Sequence, residues 1–204
     1  METTVNSYSR PTLRANYRKT VEVILFLIEE AERRGTYVTT YDIVKSIFVA
    51  DVAHLNAYGR PVAYDNYYAM KDGPVPSAAY ELLGDERPEK YDAEFGVWPL
   101  WNKEPSPKDG RLASKFVRPK RSANVRVLSE TDISALKEAL SLIKAQSFTE
   151  TRDMTHEYAA YKEAWHENGD KGSYLMSYAM LLENENAEDA EDLVSDLVHA
   201  SHYN

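Results

Sequence analysis

Asp51 and His54 stand three residues apart in a stretch patterned as a helix, and a carboxylate and an imidazole at that spacing suit acid–base work or metal ligation. Adding His156 gives a candidate catalytic or metal-binding set. Successive helical residues step about 100° around the axis, which puts Val44, Phe48, Asp51 and Leu55 in one row and Ile43, Ile47, Ala50 and His54 in the next. Both polar side chains therefore point toward the interior. There an unpaired carboxylate or imidazole costs several kcal/mol, so each must find a hydrogen-bond partner. The preferred reading is a polar network in which the two bond each other or the loop that follows, with Arg60 and Tyr64 nearby. The sequence holds no HExxH spacing, phosphate-cradling glycine loop or nucleophile elbow. Cysteine is absent, which excludes thiolate chemistry and disulfides. No enzyme, no catalytic or metal-ligating residue and no cofactor is expected.

The loop that such a network would hold, residues 58–76, is dense in turn formers: Gly59, Pro61, Gly73, Pro74 and Pro76. It leaves room for a short helical turn over 65–71. The Gly-Pro-Val-Pro run at 73–76 makes a stiff corner, because glycine accepts positive φ while the prolines fix their own. Such a corner can present Tyr67, Tyr68 and Tyr80 to another protein at low entropic cost.

The elements that must position these residues follow from periodicity. Apolar residues at three- and four-residue steps predict a helix over 14–34 stopped by Gly35, and a second over 39–56 opened by Thr39 and Asp42 as a capping box. A brief helix over 77–83 follows, then a long loop over 84–110 containing Phe95, Trp98 and Trp101. Short extended stretches at 115–118 and 124–128 predict a small β-hairpin. Ser129 and Asp132 cap a further helix, and 149–165 reads as another, with Met154, Tyr158, Tyr161 and Trp165 as its stripe. The fold class is thus mainly α: a compact helical domain over 14–168 with a small β-hairpin, and a C-terminal acidic helical extension over 169–204 that packs on the domain or binds a partner.

The chain has 204 residues, 24 basic and 33 acidic, for a net charge of −9, so nucleic acid is not an expected partner. The balance is uneven. Arg111, Lys115, Arg118, Lys120, Arg121 and Arg126 share a window without an acid, whereas Glu183, Glu185, Glu188, Asp189, Glu191, Asp192 and Asp196 crowd the end. With no secretory h-region and no membrane-spanning apolar run, the expected location is the cytoplasm, without membrane attachment.

Lys45, Phe48, Asp51 and His54, then Gly59, Arg60, Pro61, Asp65, Tyr67, Ala69-Met70, Gly73, Pro74, Pro76 and Tyr80, resemble in order the signature of the Panacea domain of SocA-like antitoxins and phage GepA-like proteins. The resemblance continues through Leu128-Ser129-Glu130 and Thr155-His156, over about residues 17–165. The family usually shows a tryptophan soon after the Thr-His pair; here Tyr161 comes first and Trp165 follows. The resemblance implies the antitoxin of a toxin–antitoxin pair, carried by a prophage in some members, whose partner is a cognate protein toxin. Toxins neutralised by the family include alarmone-synthetase-like ones. On this reading Lys45, Phe48, Asp51, His54, Gly59, Arg60, Pro61, Asp65, Gly73, Pro74, Pro76, Tyr80, His156 and Trp165 build the scaffold, and Tyr64, Tyr67, Tyr68, Trp98 and Trp101 are candidate toxin contacts. Two alternatives remain: an adaptor that delivers the toxin to a ClpXP-type protease, and a DNA-binding autoregulator using residues 111–126.

Overall fold

Asn16 starts helix α1 (Tyr17–Arg33) by accepting the Lys19 N–H at 2.9 Å, and Gly35, at φ +71°, follows its end. In this computed structural model the described residues are 10–84, 91, 94–96, 98–108, 111–166, 169, 171–183 and 186–203. Pro88, Gly110 and Glu185 lie outside them.

Helix α2 (Thr40–Tyr58) begins with the expected capping box, Thr39 and Asp42 bonding each other's backbone N–H, and ends at Gly59 in the left-handed region. Its apolar residues serve two cores. Ile43, Val44, Ile47 and Ala50 enter a cluster with α1 residues Val21, Ile24, Leu25 and Ile28. Phe48, Val52 and Leu55 enter a second, with Tyr67, Tyr161, Tyr178, Val194 and Leu197. A large apolar side chain fully buried in this way contributes about 2 kcal/mol, and α2 contributes to both sides.

Where a helical turn was expected over 65–71, strand β2 (Tyr67–Met70) pairs antiparallel with β3 (Gly73–Pro76). Tyr67 and Ala69 are buried and Tyr68 and Met70 half-buried, a period of two too short to show in the sequence. Ser77–Leu83 forms helix α3 as predicted.

The sequence-predicted hairpin is also displaced. Strand β5 (Arg111–Val117) pairs with β4 (Asn102–Lys108), inside the stretch read as loop, and with the two-residue β1 (Val38–Thr39). β4 is an edge strand, where Pro105 costs no ladder hydrogen bond, so prolines that read as loop punctuation sit in a sheet. Val125–Val127 is a 3₁₀ turn, not a strand.

Helix α4 (Glu130–Ala145) opens with the Ser129/Asp132 capping box. The single helix expected over 149–165 is two, α5 (Phe148–His156) and α6 (Ala159–Ala164), broken where Tyr158 turns extended and packs its ring edge-on against Phe48, 4.9 Å between centroids. The region after 169 adds strand β6 (Ser173–Leu175) to the free edge of β2, then helix α7 (Ala187–Ser201). Ala190, Val194 and Leu197 of α7 are buried while Glu188, Asp189, Asp192 and Asp196 face solvent. Arg14 reaches it too, donating its N–H to Ser201 at 2.9 Å. The architecture is mainly α with two three-stranded antiparallel sheets, ordered β1-β5-β4 and β3-β2-β6. Among the described residues no helix is long and apolar enough to cross a membrane.

Candidate functional site

Asp51 points into the interior and is met there by the loop. Its Oδ1 accepts the Val62 and Ala63 N–H groups at 2.9 Å each, and its Oδ2 accepts the Tyr67 hydroxyl at 2.7 Å. Burial pushes this carboxyl up to about 7, against the pull of those three donors. Asp51 therefore serves as an anchor, holding the loop to α2.

His54 bonds the same loop one turn later. Its Nδ1 lies 2.8 Å from the Arg60 carbonyl, and its Nε2 lies 3.0 Å from Thr131 Oγ1 and 3.2 Å from Asp132 Oδ1. Burial holds the imidazole below its ordinary value, against the Arg60 carbonyl, which favours the protonated ring. Asp132 is a hub as well as a helix cap, with Lys19 Nζ at 3.0 Å and Arg60 Nη1 at 2.9 Å. Although burial works the other way, the Ser129 N–H and the Lys19 ammonium keep its carboxyl low. One cluster thus ties α1, α2, the loop and α4.

Asp65 fixes the far end of the loop. It accepts from the N–H groups of Asn66, Ala78 and Ala79 and from the Ser77 hydroxyl, so it caps the start of α3 in place of Pro76, which has no side chain to do so. Between the two anchors Tyr64 sits at φ +54°, a strained state for a tyrosine that its fixed neighbours sustain.

Lys45 is the third anchor. Its Nζ is buried and donates to the Pro74 carbonyl at 2.9 Å, and burial pulls the ammonium down to about 7, against the nearby Asp72 carboxylate. Gly73, at φ +102°, leaves it room: a Cβ there would collide with Lys45 Nζ and Thr155 Oγ1. His156 belongs to this end and does not join Asp51 and His54. It stacks on Tyr161 at 4.2 Å, and Tyr161 stacks on Trp165 at 6.2 Å, so Tyr161 occupies the place next to the Thr-His pair.

The network hypothesis holds, with the loop rather than the Asp51–His54 pair as partner. Tyr67, not Tyr64, supplies the hydroxyl. Sequence reasoning missed Lys19, Thr131 and Tyr178, whose hydroxyl donates to the Asp65 carbonyl at 2.5 Å; they come from elements too distant in sequence to signal the contact. Of the five residues proposed as contacts, four are interior. Tyr67 lies under the loop, Tyr64 is 8% exposed, and Trp98 and Trp101 pack on each other at 5.2 Å beside Phe116. Prolines around Trp98 and Trp101 mark a loop in the sequence, but both indoles pack in the core cluster with Phe116 of β5 and the apolar face of α1. Tyr68 is half-buried, whereas Tyr58 and Tyr80, at the two ends of the segment, are 59% and 49% exposed.

Two surface grooves flank this scaffold. The larger, about 1190 Å³, runs along the start of α1 beside Arg121 and Val127. The smaller, about 340 Å³, lies between α2 and α4. Among the described residues no group of three or more histidines and acids is placed to hold a metal.

Comparison with known proteins finds no matching curated protein and no matching solved structure. Comparison with protein families matches residues 43–166, well over half of the chain, to the family described as antitoxin SocA-like, Panacea domain. The match runs from α2 to the residue after Trp165 and takes in every anchor described above; α1 lies outside it, although the resemblance was expected to begin near Tyr17. The chain belongs to the SocA-like antitoxin family and carries its Panacea domain.

Proposed function

We propose that this protein neutralises a cognate protein toxin by binding it directly, without catalysis of its own. The observation that carries the reading is the fate of the motif: Asp51, His54, Asp65 and Lys45 all bond the chain's own backbone, so the family's most reactive side chains are committed to holding residues 59–79 rigid. A rigid surface binds with little ordering cost. Family membership supplies the partner class, a toxin.

Delivery of the toxin to a ClpXP-type protease would use the same binding step, and toxin half-life separates the two. An adaptor would use the acidic C-terminal segment to dock the protease, and there the apolar edge of α7 is already buried in the second core. DNA binding by 111–126 would have to compete with internal ion pairs. Lys115 and Arg118 both pair with Glu104, and Arg121 forms a two-point pair with Glu22 at 2.6 and 2.8 Å. Co-expression with the product of the adjacent open reading frame tests the proposal: growth is rescued and a stable complex is recovered, or the proposal fails.

A further inference from the structure

We propose that the groove between α2 and α4 is the surface that receives the toxin, and that its occupant is an amphipathic helix bearing a basic residue beside its apolar face. The inference rests on the functional reading above and names the surface that this reading leaves open. The groove has small walls, Ala53 and Ala57 on α2 facing Ala135 and Ala139 on α4, which let another backbone approach closely. Tyr58 and Leu142, 59% and 41% exposed, stand at its sides. Single exposed apolar residues are ordinary, but two beside one alanine-lined groove form a patch that water covers poorly.

The floor connects this surface to the motif. His54 lines the groove, its ring 4.5 Å from that of Tyr58, and its two nitrogens are pinned to the Arg60 carbonyl and to Thr131, itself a lining residue. The bonds that order the Gly59–Pro61 turn therefore also set the position of α4 against α2, and with it the groove's shape. Such an arrangement pre-organises the surface before a partner arrives.

Charge selects the occupant. Glu138 is the charged lining residue, its carboxylate held by the Ser134 hydroxyl at 2.9 Å, on a chain of net charge −9. A helix with a lysine or arginine facing Glu138 is complementary. A second copy of this chain is not: its acidic helix α7 has already buried Ala190, Val194 and Leu197, and two such chains repel. The larger groove is less suited because three of its four lining cations are answered from within, Arg121 by Glu22, Arg18 by Glu94 and Lys19 by Asp132, and Arg14 lies against the His202 carbonyl at 3.4 Å.

The test titrates the product of the adjacent open reading frame with wild type and with Ala53→Arg, Leu142→Glu, Glu138→Lys and Val127→Glu, the last lining the larger groove. All four positions are at the surface, so each variant should melt within about 3 °C of wild type. Leu142→Glu and Ala53→Arg each weaken binding at least about 30-fold, Glu138→Lys about 10-fold, and Val127→Glu leaves it unchanged. Folded Leu142→Glu and Ala53→Arg proteins that bind like wild type overturn the inference, as does a loss confined to Val127→Glu. A wild type that binds nothing overturns instead the functional reading beneath it.

Discussion

Asp51 illustrates how a residue that looks catalytic becomes structural. Three donors converge on its carboxylate, and removing it strands the Val62 and Ala63 N–H groups and the Tyr67 hydroxyl in the interior. Asp51→Ala should therefore cost about 3 kcal/mol or more, read by denaturant unfolding, and a cost under about 1 kcal/mol would contradict the anchor role. Gly73→Ala should be comparably severe, since both the left-handed backbone and the contact with Lys45 forbid a side chain. Lys45 adds a pH dependence. Its ordinary value is 10.5 and the folded value about 7, so the unfolded chain binds the extra proton between those limits. Folding is then favoured as pH rises from 7 toward 10.5, at about 1.4 kcal/mol per pH unit at most, and this contribution is lost as pH falls through 7. Lys45→Met should flatten that rise in thermal midpoint; an identical slope in wild type and variant would contradict it. That Asp51 and His54 face inward was legible from helical rows alone. Their partners were not, because a carboxylate's donors can come from any chain segment that folding brings near, and Thr131 is 77 residues from His54.

At the scale of elements, periodicity located α1, α2 and α4, start signals at Pro76 and Ser77 located α3, and the Thr39/Asp42 and Ser129/Asp132 boxes marked the starts of α2 and α4. The extended stretch read at 115–118 falls on the end of β5, whereas the other strands were missed. β2 and β6 are four and three residues long, and β4 carries prolines on an edge. These elements exist through pairing with distant segments, which local pattern does not encode. The break between α5 and α6 is likewise tertiary, set by Tyr158 against Phe48. α7 makes the sharpest element-scale prediction. Because Val194 and Leu197 are buried beside Tyr178 and Leu181, Leu197→Ala should destabilise the isolated protein by about 2–4 kcal/mol, with slow amide exchange across α7 in wild type. Rapid exchange there without a partner would show a mobile tail instead.

On the scale of the molecule, the anchors combine into one device. Asp51, His54 and Lys45 pin a single segment to α2 and Asp65 caps α3 from within it, while Asp132 draws in α1 and α4, so the core and this segment are held by one connected set of bonds. That arrangement uses a motif rich in titratable groups to fix a shape. Direct neutralisation by this shape, as proposed, is tested most directly by titrating the purified adjacent-gene product with purified wild-type protein, following toxin activity and toxin mass together. Stoichiometric loss of activity with the toxin intact in a stable complex is the expected result. Undiminished toxin activity at saturating protein, or loss that requires an added protease, would contradict it.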